Sequence, residues 1–168
     1  MKERLYYQYY VEGEDEKKFL EVLKRDLQCI ASGKVEKFNV IQNKLTITRI
    51  RPLRQGTIVA FVYDTDVENI EIIQQNIEFL KAQSGIKDVL CIPQVKNLEE
   101  EILRACKIRN IGELTHSCTK KDYKRDLISC GNLGSRLEKC GFDISKFWNS
   151  IPENKFYVFG NDGAKIKI

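Results

Sequence analysis

Apolar and polar positions along this chain follow two rhythms, one of period two and one near 3.6, and the two take turns. Residues 5–11 are dense in Tyr and Val, as a strand is. Gly13 offers a turn, and Glu14, Asp15 and Glu16 make the acidic first turn that a helix amino end favours. Phe19, Leu20, Leu23 and Leu27 then recur at helical spacing, with lysines opposite. Residues 35–41 alternate as a second strand. The stretch 43–56 carries Lys44, Arg49, Arg51 and Arg54, no acidic residue, and a helix-breaking Pro52, so it reads as a short helix or loop with a basic face. Residues 57–63 are a nearly unbroken apolar run, the pattern of a central strand covered on both faces. Ile70, Ile73, Ile77 and Leu80 mark a helix over 69–83. A short buried strand over 88–92 is closed by Pro93, and Asn97 caps an acidic-fronted helix over 98–107.

Strand and helix therefore alternate through residues 1–110. That order predicts an α/β fold, a Rossmann-like, mostly parallel sheet with helices on both faces. Beyond about residue 110 the alternation fails. Residues 119–130, 132–139 and 144–148 read as short helices, 156–159 as a candidate last strand, and 160–168 as a polar, basic tail. No Pro/Ser/Gly-rich linker intervenes, so residues 111–168 are expected to be a helical extension packed on the sheet.

Composition narrows the class. The chain has 168 residues, 42% apolar and 31% charged, enough for one well-formed core. No apolar run approaches the roughly 18 residues that span a bilayer, and Met1-Lys2-Glu3-Arg4 leads into the first strand without a signal-peptide pattern. The cytoplasm is the expected compartment, with no membrane partner. Six cysteines form no C-x₂-C pair, and His116 is the lone histidine, so the common zinc patterns are absent. Reduced, partly buried cysteines are expected. The net charge of +4 is unevenly spread: residues 107–168 carry 12 Lys and Arg against 7 Asp and Glu, leaving 16 against 17 before them. A basic rear half suits a polyanionic partner, although lysines also simply keep a surface soluble.

Two acidic clusters fall where apolar strands stop. Glu12 follows the first strand, directly before Gly13, and Asp64 and Asp66 end the third. The carboxyl ends of strands in an open α/β sheet are where ligands bind. Residues i and i+2 of an extended segment point the same way, so Asp64 and Asp66 can face one hard cation through oxygen. Each motif is weak alone: Glu12 can be an exposed turn residue, and Asp-x-Asp can be a helix-capping turn.

Together they resemble the Toprim domain, whose motif is a Glu after the first strand and Asp-x-Asp after the third. The spelling VEGEDEKKF is similar to that of small Toprim nucleases and OLD-like proteins, and the resemblance covers about residues 4–107. It implies Mg²⁺ or Mn²⁺ on Asp64 and Asp66, with Glu12 as general base or second-metal ligand. It also implies Asp15 and Glu16 as further acidic positions, and Glu99 or Glu101 in reserve, although an acidic helix start is reason enough for the last two. The implied activity is metal-dependent cleavage of a phosphodiester in DNA or RNA. The alternative is a non-catalytic Toprim module that binds nucleic acid or a partner protein. Topoisomerase members need a separate tyrosine-bearing domain for which this chain has no room.

Basic residues supply the other half of the expectation. Arg49, Arg51 and Arg54 form one group, and Lys120, Lys121, Lys124 and Arg125 surround Tyr123. Interleaved cations and aromatics can bind a phosphate backbone and stack a base, or be the solvated face of a helix. Lys165 ends a Gly-Asn-Asp-Gly turn that can present amides to an anion or be a plain β-turn. A lone His116 in a loop is more often incidental than catalytic.

Overall fold

In the computed structural model, which describes residues 4–168, four strands form one sheet: β1 (Tyr6–Val11), β2 (Lys34–Lys37), β3 (Thr57–Asp64) and β4 (Ile86–Gln94). Every pairing is parallel and the order is β2-β1-β3-β4. The chain is an α/β protein with helices on both faces. β3 is central, and all its residues but Asp64 are buried, as its unbroken apolar run requires.

Alternate residues of β1 and β3 feed two cores. Tyr9, Val11, Ala60 and Val62 face α1 (Glu14–Arg25), which brings Phe19, Leu20, Val22 and Leu23 to them. Tyr10, Phe61 and Tyr63 face α3 (Glu71–Lys81), with Ile73, Ile77 and Leu80, and the single turn α2 (Ile47–Ile50). Each such side chain contributes about 1.5–3 kcal/mol when fully buried. A crossover between parallel strands is right-handed almost without exception. The connection β1-α1-β2 therefore leaves to one side of the sheet and β3-α3-β4 to the other. The connections diverge between β1 and β3, and this reversal opens a crevice at the carboxyl ends of those two strands.

Helices α4 (Leu98–Ala105), α5 (Gly112–Thr115), α6 (Tyr123–Ser129) and α7 (Leu133–Lys139) cover the α1 face. Leu114, Tyr123, Leu127, Leu137 and Trp148 share one buried cluster with Tyr9 and Phe19, so the residues after 110 complete a core rather than build another. Phe156 crosses to the second core, 5.5 Å from the Tyr63 ring.

Several expectations need correction. Strand β2 stops at Lys37 instead of residue 41, because the Asn39 side-chain oxygen takes the Ile41 and Gln42 N–H groups in a turn. Strand β4 runs through Pro93, which an edge strand tolerates. The helix expected over 119–130 is split into a 3-10 turn, Lys120–Asp122, and α6. That over 144–148 is only the 3-10 turn Ile144–Lys146, since Trp148 has a positive φ of 51°. Residues 156–159 are not a strand but lie in a 3-10 helix, Lys155–Phe159, started by the Asn154 side chain accepting from Phe156 N–H. Four apolar residues cannot by themselves distinguish the two.

The tail is not a loose polar end. Ile166 is buried, the Ile166 carbonyl accepts from Ala31, and Lys167 bridges to Ile30. Asp162 pairs with the edge of β4: its N–H donates to the Cys91 carbonyl at 2.8 Å, and its carboxylate accepts from Cys91 N–H at 2.9 Å. All six cysteines are free, and of these Cys118 is exposed. Among the described residues no helix is long and apolar enough to cross a membrane.

Candidate functional site

The carboxyl ends of three adjacent strands meet in the crevice. Val11 pairs with Val62, which sets Glu12 beside the end of β3, and the Asp64 N–H donates to Glu12 Oε1 at 3.1 Å. Asp64 pairs in register with Gln94 at the end of β4, and Gln94 Nε2 donates to Asp64 Oδ1 at 2.7 Å. Asp15 and Glu16, in the first turn of α1, are 5% and 3% exposed. Gly13 joins the two groups, and its role differs from the turn expected. Its φ of −140° and ψ of 179° are ordinary extended values. Its lack of a side chain leaves room for the acidic groups, since a Cβ there would lie 2.9 Å from both Asp15 Oδ1 and Glu16 Oε2 and would push those carboxylates aside.

Burial pushes the Glu12 carboxyl up to about 8, helped by the charges of Asp64, Asp66 and Asp15 and opposed by the Asp64 N–H bond. Burial, then the hydrogen bond and charge of Asp15, raises Glu16 to about 9. Asp64 rises to about 7 through burial, against the pull of Gln94. Asp15 Oδ2 is buried with no hydrogen-bond partner. Its nearest cation, Lys124 Nζ, stands 3.9 Å away, too far for a hydrogen bond. Held as anions, these carboxylates outnumber the donors that reach them, a condition that either protonation or a cation relieves.

The donors are all oxygen, which suits a hard divalent ion. Among the described residues no three His, Cys, Asp or Glu side chains form a ready-made cage. Mg²⁺ does not require one, since it keeps several waters and uses one or two carboxylates plus substrate phosphate. Asp15 Oδ2, buried and unpartnered, together with this donor chemistry, fits such an ion.

Around this centre, Asp66 is exposed and Glu99 is half-buried and paired with Lys120 at 3.6 Å. Tyr123 of α6 closes one side. Burial first, then Asp15, Glu99, Glu16 and Asp64, raises its hydroxyl far above the usual tyrosine value. Glu101 does not join them. It is fully buried, its Oε1 accepts from Val95 N–H and Arg104 Nη2 at 3.0 and 2.8 Å, and its Oε2 from Trp148 N–H at 3.0 Å. It is a bracket between the β4–α4 loop and the C-terminal segment.

The basic residues divide. Lys120 and Lys124 rim the acidic cluster, and Lys121 is exposed beside them. Arg125 pairs with Asp122 and Asp126, and Lys165 with Asp162. Arg49 pairs with Glu36 and stacks on Phe38, Arg51 borders the start of β4, and Arg54 stacks on Tyr6 at the start of β1. Arg51 and Arg54 thus stand at the amino ends of the strands, away from the acidic site. His116 ends α5 in a left-handed conformation and is exposed. Gln94 is the site residue that pattern reading missed; its signal was a polar residue ending an apolar strand at the same sheet edge. Comparison with known proteins returns no match to a protein-family model, to a curated protein or to a solved structure.

Proposed function

We propose that this chain is a divalent-cation-dependent enzyme of Toprim type that acts on phosphodiester bonds of a nucleic acid. The observation that carries the reading is the meeting of Glu12 and Asp64 across adjacent strands at the sheet's reversal point. Asp64 and Asp66 are the residues to hold the ion, with Glu12, Asp15 and Glu16 behind them. A bound Mg²⁺ or Mn²⁺ would supply Lewis-acid polarisation of a phosphoryl oxygen. The side chains have their own tasks. Gln94 fixes the orientation of the Asp64 carboxylate. Glu12, bonded to the Asp64 N–H and pushed up to about 8 by burial when no cation is bound, stands where a general base or acid is needed. Lys120 and Lys124 offer positive charge to a phosphate backbone at the rim.

The test uses labelled single- and double-stranded DNA and RNA with Mg²⁺ or Mn²⁺, on the wild type and on Glu12→Gln and Asp64→Asn. Cleavage that needs metal and drops about 100-fold or more in both variants is the expected outcome. Salt-sensitive binding without cleavage, indifferent to Asp64→Asn, would instead make the chain a nucleic-acid-binding module.

A further inference from the structure

We infer that the amino-terminal end of the sheet carries a second ligand site, a cleft that takes a nucleotide unit, phosphate together with base. The cleft has a volume of about 340 Å³ and opens where β1, β2 and β3 begin. That size lies at the lower end of the range for small-ligand pockets. The cleft is built on the first residues of β1, Tyr6 to Gln8, with Glu36 at its upper rim, so it opens at the other end of β1 from the acidic corner and neither Glu12 nor Asp64 lines it. A ligand seated here does not touch Glu12 or Asp64.

Its lining is cationic. Arg4, Lys34, Arg49 and Arg54 face a single carboxylate, Glu36. Lys34 and Arg49 share that carboxylate, at 2.7 and 3.6 Å. Among the described residues neither Arg4 nor Arg54 has a carboxylate within ion-pair distance. Both guanidiniums lie over the Tyr6 ring instead, at 5.9 and 4.9 Å from its centroid. These cation–ring contacts leave the guanidinium N–H groups without a carboxylate, free to bind the oxygens of a phosphate. Aromatic and guanidinium surface in one cleft also suits the packing of a base.

The floor supplies a third element. Gln8 is 2% exposed, and the only bond its side chain makes is from Nε2 to the neighbouring Tyr9 carbonyl, at 3.2 Å. Gln8 lines the cleft, and a side-chain amide can exchange hydrogen bonds with a base edge. Guanidinium forks, the Tyr6 ring and an amide in one lining suit a nucleotide better than a simple anion. Such a unit can come as a free nucleotide or within a strand.

Binding is measured with EDTA present, so that no cation at the acidic corner contributes, using AMP, a short single-stranded oligonucleotide and inorganic phosphate as probes. AMP and the oligonucleotide are expected to bind, each about tenfold or more weakly in Arg54→Ala and Arg4→Ala, with Arg54→Lys in between because charge remains and the fork is lost. Asp64→Asn is expected to bind as the wild type does, which separates failure of this site from failure of the acidic one. Tm measurements confirm that the variants are folded. Binding of the oligonucleotide alone, lost in the same variants, identifies a strand as the source. No nucleotide binding, binding unchanged in Arg54→Ala and Arg4→Ala, or equal competition by inorganic phosphate overturns the inference.

Discussion

A carboxylate buried without a full set of donors is poorly stabilised as an anion, and Glu12, Glu16 and Asp64 are three such groups side by side. Their raised proton affinities mean that the folded chain keeps protons the unfolded chain releases. Stability from these groups is thus greatest below the ordinary carboxylate range and falls as pH rises towards about 7 to 9. Metal-free wild type should lose Tm between pH 5 and pH 8 relative to Asp64→Asn, which lacks one of the charges. At pH 8 without metal that variant is expected to be more stable than the wild type by about 5 °C, because one crowded charge is gone. Mg²⁺ or Mn²⁺ at about a hundredfold excess over Kd should raise the wild-type Tm by about 5–10 °C, more at pH 8 than at pH 5. A Tm that ignores both metal and pH in thermal scans would argue against a cation site here.

At the scale of elements, Glu99 and Glu101 open the same helix two residues apart and have separate fates. Glu99 stands beside Lys120 at the rim, whereas Glu101 ties the start of α4 to Trp148. Removing one partner of a buried ionic hydrogen-bond set costs about 3–5 kcal/mol. Glu101→Ala should therefore lower Tm by about 10 °C, while Glu99→Gln changes stability little; thermal denaturation of the two variants decides it. Sequence alone could not separate them, because an acidic first turn looks the same whether its carboxylates face solvent or a distant backbone N–H. The legible elements were those with strong periodicity: α1, α3, α4 and the buried β3. Of the candidate site, the meeting of Glu12 and Asp64 was legible, since both end apolar strands. Gln94 and the orphaned Asp15 oxygen were not, because their roles depend on register and on the space left by Gly13. The region after residue 110 was read least well, since side-chain N-caps at Asp143 and Asn154 and a Trp at positive φ, rather than apolar period, decide where its short helices start and stop.

For the whole molecule, the edges of the sheet matter as much as its centre. β2 guards one edge by being four residues long with exposed lysines at both ends. β4 is nine residues long, with exposed Lys87 and Asp88 near one end and Pro93 near the other, so the apolar stretch between them is the part that needs cover. Asp162 occupies part of its free backbone, and Ile166 pins the segment that carries Asp162. Deleting residues 160–168 should make the chain associate more strongly with rising concentration than the intact chain does, seen by light scattering, with Asp162→Ala showing a weaker form of the same behaviour. A truncated chain that stays monomeric at high concentration would mean that β4 needs no cover. The last nine residues thus behave as a resident decoy: by satisfying β4 from within the same molecule, they remove the vacancy that a neighbouring copy would otherwise fill.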